Sequence, residues 1–427
     1  MSTKTEDLKR EIGTLGLAST FVNFIVGAGI YALPAYVAIA IGNAALLAFI
    51  VCGILITLIM LCFAEIGTKI TVSGGPYAYI QQAFGEYAGF LSNITFWFGY
   101  AVLADAAIAN AMVDMLATQF PIFQNSIIRA GFFFIMFGTF ALVNIRGVKQ
   151  GVNLIKTLTA IKLLPLIFLV LYGIFFIDVG NLTITEFPTT SSLGEACILL
   201  FFAFGGGEGA LSASGEIRNP GKTIPKGILI GILGVILLYM AIQMVCQGLL
   251  GSELGDFQEA PLAETLQRLI GPIGGIIMIY AAAFSIFSTL SGSVNQYPRI
   301  LYAGGRDGNL PGFLSKIHPR FLTPVNGIIL YATLDFIISI AGGFKILAII
   351  SSAALLLIYF GVVAANIKLR KMESGGFKLI GGITIPAISL VIISWFLFQL
   401  SPNEWIAVLI FMALLSIIYL LKVKLSK

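Results

Sequence analysis

Long uncharged runs, broken by short polar clusters, set the pattern of this chain. From Ile12 to Ala64 there is no Asp, Glu, Lys or Arg. One bilayer crossing needs about 20 apolar residues, so that stretch holds two spans. Dividing the remaining runs at Gly, Pro and Asn clusters and at charges predicts helices near 12–40, 43–69, 86–117, 127–145, 151–177 and 193–215. A second set follows near 226–250, 270–303, 324–342, 345–368, 378–399 and 403–422. The fold class expected is all-α, a polytopic membrane protein of about twelve transmembrane helices.

Charge tests that count. Of the 25 Lys and Arg residues, all but four fall at the ends shared with the two termini. Arg129, Arg268 and Lys345 fall at the opposite ends, and Lys162 lies inside the fifth predicted span. This sorting is the positive-inside pattern, which one missed or invented span would scramble. It predicts a multi-pass protein of the cell membrane with both termini cytoplasmic: a retained N-terminal tail over 1–11 and a short C-terminal tail over 423–427.

Composition agrees. The chain is 58% hydrophobic and 11% charged, with a mean hydropathy of +0.99, whereas soluble domains carry about 25% charged residues. The net charge of +5 is sorted by membrane side, so it does not point to nucleic acid. Cys52, Cys62, Cys197 and Cys246 lie in apolar segments without metal or redox spacing. The lone His318 sits in a charged loop and cannot assemble a His-rich metal site. No cofactor is expected, membrane lipid is the certain partner, and the pattern fixes no oligomeric state.

Two helices are interrupted. The first span contains FIVGAGIYALP, with Gly27 and Gly29 flanking Ala28, and the sixth contains FFAFGGGEGA, with Gly205, Gly206 and Gly207 in a row. Each glycine costs a helix about 1 kcal/mol relative to alanine. Unwound backbone is tolerated in a bilayer only where it is buried in protein or lines a wet cavity. Close packing of small residues is the other reading of such glycines. Breaks at the first and sixth positions are corresponding members of two five-helix halves, the pattern of a midplane site in an inverted-repeat transporter. Freed N–H groups there can hold a carboxylate, and freed C=O groups an ammonium.

Four motifs in order resemble the amino acid–polyamine–organocation superfamily of permeases. They are VGAGIYALP, then FAEIG with SGGPYAYIQQAFG, then FAFGGGEGALSASGEIRNPGKTIPKGI, then RILYAGGRDGNLP followed by TPVNGI. The resemblance implies a five-plus-five inverted repeat, over 12–177 and 193–368, with two accessory helices over 378–422. It implies that amides near Ala28, Gly29 and Ile30, beside Gly27, bind a substrate carboxylate. Carbonyls near Ile25, Phe202 and Gly205 would bind its amino group, next to Gly206 and Gly207. Phe202 matches an aromatic gate of related antiporters. Gly207 stands where a bulkier residue is frequent, which implies more room for the substrate side chain.

Lys162 lies about eleven residues into its span, roughly 16 Å deep at about 1.5 Å per residue. A lysine at mid-membrane costs at least about 2.5–3.5 kcal/mol, which makes it a functional candidate. In proton-coupled relatives a lysine of this helix occupies the place of a sodium ion. Ser285, Ser288 and Thr289 of the eighth span share one helical face and match hydroxyls that ligate sodium, together with first-helix carbonyls such as that of Val26, in sodium-dependent relatives. The resemblance therefore implies that Lys162 cycles a proton; a structural lysine paired with carbonyls is the alternative.

Other membrane acids are less decided. Glu208 would sense pH, hold a cationic substrate or pair with freed amides. Asp105 in the third span would favour a basic substrate, relay protons or act as a cap. Glu65 and Asp335 read as structural. The sequence thus predicts an amino acid transporter working by alternating access. A polyamine or cationic amine exchanger of the same fold is the alternative, and an intramembrane enzyme built on Asp105 and Glu208 is a distant one. Symport and exchange are not separated.

Overall fold

The computed structural model describes residues 12–70, 75–147, 152–371, 377–379 and 381–425. The expected N-terminal tail, Lys149 and the last two residues lie outside them. In lipid, a chain without a closed barrel must satisfy its backbone inside helices, and the described residues form helices throughout. The first span is two helices, α1 (Thr14–Ile25) and α2 (Ala28–Ile41), and the second is α3 (Ala45–Lys69). A short helix, α4 (Pro76–Phe84), leads into the third span, in which α5 (Glu86–Ile94) and α6 (Leu103–Ala117) flank a π-helical stretch over Thr95–Val102. Then come α7 (Ser126–Ile145), α8 (Val152–Gly173) and α9 (Thr190–Phe201), the last continued by 3-10 turns to Glu216. The second half runs α10 (Pro220–Leu250), α11 (Pro261–Ile270), α12 (Pro272–Arg306), α13 (Val325–Ala341), α14 (Phe344–Leu369), α15 (Thr384–Phe398) and α16 (Pro402–Leu425).

Nine segments are long and apolar enough to cross a membrane, one of them joining α2 to α3; with the shorter α1, α13 and α15 the described residues make twelve spans. Burial sorts them. The most apolar stretches of the third and sixth spans are 83% buried, whereas those of α7 and α16 are 22% and 11% buried and face lipid. Packing divides the core into two groups. The broken first and sixth spans pack with α3 and α10, while α6, α7, α12 and α13 pack with one another. The fifth span, α8, touches α1, α10 and α12, and the tenth, α14, touches α3, α6 and α9, so both bridge the groups.

Several boundaries differ from the sequence pattern, among them that of the eleventh span, which begins at Thr384 rather than near 378. The seventh span begins at Pro220 rather than near 226, because proline at the first helical position gives up no needed N–H and presets the helical φ. The last helix runs on to Leu425 instead of ending before a tail at 423. Between α10 and α12, a 3-10 turn over Gly251–Asp256 is followed by α11.

Candidate functional site

Helix ends create the chemistry at the first break. α1 stops at Ile25 and α2 starts at Ala28, with Val26 and Gly27 extended between them. Gly27 offers no side-chain cap, so the leading amides of α2, those of Ala28, Gly29 and Ile30, have no acceptor in their own helix. The last carbonyls of α1 are equally orphaned, and each faces something different. That of Asn23 accepts from the Lys162 ammonium at 3.3 Å. That of Phe24 lies against Gly206, and that of Ile25 accepts from the Tyr239 hydroxyl at 3.0 Å.

In the sixth span a single 3-10 turn, Phe202–Phe204, is followed by extended Gly205 and then by Gly206 at φ +103°. That left-handed value suits glycine alone. The Gly205 amide donates back to the Phe202 carbonyl at 3.3 Å. The breaks meet through their glycines: a Cβ on Gly29 would sit 2.7 Å from Ala203 Cα, and one on Gly206 would sit 2.7 Å from the Phe24 carbonyl oxygen. A Cβ on Gly205 would strike the Tyr100 hydroxyl at 2.7 Å. Gly207 faces Phe21, whose ring would lie 2.9 Å from an added Cβ. The room expected at Gly207 is therefore filled by α1.

Around the breaks stand buried polar groups with no hydrogen-bond partner among the described residues: Asn23 Oδ1, Tyr31 Oη, both ends of the Gln243 amide, and Ser285 Oγ, which faces Tyr31. Gln243 lies one turn along α10 from Tyr239. Unpartnered buried polar groups are rare in native folds and call for a ligand or water. Phe202 packs edge-on against Phe344 at 5.8 Å, and Phe344 in turn lies tilted against Tyr36 at 5.7 Å.

Lys162 is 1% exposed on α8 and donates to Thr289 Oγ1 at 2.9 Å as well as to Asn23. Thr289 in turn donates a hydrogen bond to the Ser285 carbonyl at 3.0 Å and lies 3.7 Å from a Cβ position on Gly27. Ser288, next to it, is half-buried. The carbonyl engaged is that of Asn23 instead of Val26, because α1 stays helical through Ile25 and leaves its last-turn carbonyls free.

The acids are placed apart. Glu208 is fully buried and turns back on its own break, accepting from the Gly206 amide at 3.1 Å and from the Tyr359 hydroxyl of α14 at 2.6 Å. Asp105 accepts from the Tyr331 hydroxyl of α13 at 3.0 Å, between α6 and its scaffold neighbours. Tyr239, Gln243, Tyr359, Phe344 and Tyr31 were not singled out by the sequence, since a lone tyrosine or glutamine in an apolar helix carries no spacing signal.

The two faces of the bundle differ. On the face of the termini, Tyr77 donates to Asp307 at 3.1 Å, Asn309 to Gln81 at 3.2 Å, and buried Glu65 lies 3.3 Å from Arg370 and 3.6 Å from Lys69. On the opposite face a cavity of about 450 Å³ opens between Ala38, Asn43, Gln247, Ser252 and Asp256.

A family model described as amino acid permease matches residues 12–419. Among similar proteins, the serine/threonine exchanger SteT of Bacillus subtilis (strain 168) is 29% identical over 88% of this chain and 86% of its own length. The methylthioribose transporter of the same organism is 26% identical over 98% of this chain and 94% of its own. The human b(0,+)-type amino acid transporter 1 is 28% identical over 87% of this chain and 79% of its own.

Proposed function

The chain belongs to the amino acid permease family, and we propose that it moves a neutral amino acid across the cell membrane by alternating access around the two breaks, with a proton cycling on Lys162. Family membership makes it a transporter rather than an enzyme. The observation that carries the reading is the meeting of the breaks. Amides of α2 and carbonyls of α1 and the sixth span offer opposite partial charges to one small zwitterion. In this reading Ala28, Gly29 and Ile30 hold the carboxylate, while the carbonyls of Ile25, Phe202 and Gly205 hold the ammonium. Gln243, Tyr31 and Ser285 supply further polar contacts.

Neutral substrates are favoured over polyamines because the acids near the breaks already accept hydrogen bonds from buried tyrosines. Glu208 is engaged by Tyr359 and its own loop, and Asp105 by Tyr331. Lys162 has no carboxylate partner among the described residues, only a carbonyl and a hydroxyl. A charge so placed responds strongly to the charge of an arriving substrate. The first, second, sixth and seventh spans would then rock against the scaffold of α6, α7, α12 and α13, each group drawing on both repeats, 12–177 and 193–368, with 378–422 accessory and the termini cytoplasmic. The exchanger relatives keep obligatory exchange open as a second mode.

Uptake of a panel of labelled amino acids and amines into proteoliposomes tests this, with empty or preloaded vesicles and an imposed proton or sodium gradient. Saturable uptake of a neutral amino acid driven by an inward proton gradient is expected. Uptake restricted to polyamines, or dependent on sodium, would contradict the reading; a strict need for preloading would establish exchange.

A further inference from the structure

Away from the breaks, α6, α12 and α13 enclose a second set of buried polar groups. Asp105 is 3% exposed and accepts from Tyr331 at 3.0 Å, with the Ser293 hydroxyl beside the same carboxylate. Asp335 follows Tyr331 by one turn of α13 and shares its helical face. It is fully buried, and neither of its oxygens has a hydrogen-bond partner among the described residues. The two carboxyl groups are near enough for their charges to act on each other.

Among the described residues no cation answers them. The titratable groups facing the pair are Tyr331 of α13, Tyr297 of α12 and Tyr100 of the third span, with Glu208 beyond Tyr100. Arg129 on neighbouring α7 is taken by Asp114 at 2.6 Å and Asn110 at 2.9 Å. Lys162 is held by Asn23 and Thr289.

We propose that Asp105 and Asp335 form a proton site of their own within the scaffold, in which Asp335 carries a proton and Asp105 the charge. Two carboxylates buried on packed helices α6 and α13, with Tyr331 one turn from Asp335 bonded to Asp105, and with no cation among the described residues to answer them, cannot both stay charged. Hydroxyl donors decide which one keeps the charge. Asp105 has Tyr331 and Ser293 to stabilise an anion, whereas Asp335 has none. A second proton, taken by Asp105, would change the contact of the third span with the ninth from one negative charge to none. The site goes beyond the transport reading and stands whether or not Lys162 couples transport.

Infrared difference spectra of the purified protein in lipid nanodiscs, followed through exchange into heavy water at neutral pH, read it directly. A protonated-carboxyl band is expected that is lost in Asp335→Asn, shifted in Asp335→Glu, and kept in Asp105→Asn and Lys162→Met. Identical wild-type and Asp335→Asn spectra in that region would overturn the proposal. So would a band lost in Asp105→Asn, which moves the proton to the other residue, or lost in Lys162→Met, which removes the independence of the site. If Asp335→Asn does not fold, Asp335→Glu decides alone: a band that does not move contradicts the assignment.

Discussion

Gly29 and Gly206 are the residues on which the site's geometry turns. A side chain on Gly29 would enter the backbone of Ala203 at 2.7 Å, which cannot step aside as the tip of a flexible side chain can. Gly29→Val should therefore cost at least the 1–3 kcal/mol typical of overpacking. Gly206→Ala adds about 1–2 kcal/mol for the left-handed conformation to its clash with the Phe24 carbonyl. Both variants should lower the melting temperature in nanodiscs and abolish uptake. A Gly29→Val protein with wild-type stability and uptake would show that the breaks do not meet in the working molecule. The glycine runs were readable in the sequence as breaks. Which glycine takes the positive φ was not, because three consecutive glycines are equivalent until the facing carbonyl of Phe24 is in place. The tyrosine hydroxyls on Ile25 and Glu208 were hidden for another reason: with 14 tyrosines in mostly apolar helices, nothing local marks the two that reach a polar partner.

α1 shows how a helix end becomes a site. Its last carbonyls are orphaned by geometry alone, and three different elements meet them: Lys162 from α8, Gly206 from the sixth span and Tyr239 from α10. The Tyr239 hydroxyl occupies the carbonyl of Ile25 that a substrate ammonium would also use. Tyr239→Phe should cost about 0.5–1.5 kcal/mol, the net worth of one hydrogen bond, when no substrate is bound. Saturating substrate should return more of that loss than it adds to the wild type, since the freed carbonyl is then filled. Thermal melts with and without substrate check this, and equal substrate stabilisation of both proteins would contradict it. The element pattern was largely legible: an uncharged run must be a span, and most of the twelve were read to within a few residues, although the eleventh begins six later than expected, at Thr384. The start of α10 was not, because Asn219 to Gly227 is polar enough to read as a loop while Pro220 begins the helix.

The whole molecule has a latched face and an open one. On the face of the termini, Glu65 of α3 is buried against Arg370 just beyond α14, and Tyr77 and Gln81 of α4 reach Asp307 and Asn309 beyond α12. Removing one partner of a buried ion pair leaves an uncompensated charge and costs about 3–5 kcal/mol, less here because Lys69 remains at 3.6 Å. Arg370→Ala should therefore loosen this face, seen as faster hydrogen exchange over 76–84 and 300–307 with little change in α7. Unchanged exchange in those segments would mean that the latch does not hold the face shut. The latch could not be read from sequence, since Glu65 and Arg370 are 305 positions apart in the numbering and only folding brings α3 beside α14.

The central claim is that substrate and proton move together through Lys162 at the first break. It is tested most directly by sealing a pH dye inside proteoliposomes and adding the transported amino acid outside, for the wild type and Lys162→Met. Substrate-dependent acidification is expected with the wild type and none with Lys162→Met, although that variant still binds substrate. Wild-type uptake without acidification, or acidification that survives in Lys162→Met, would contradict the account.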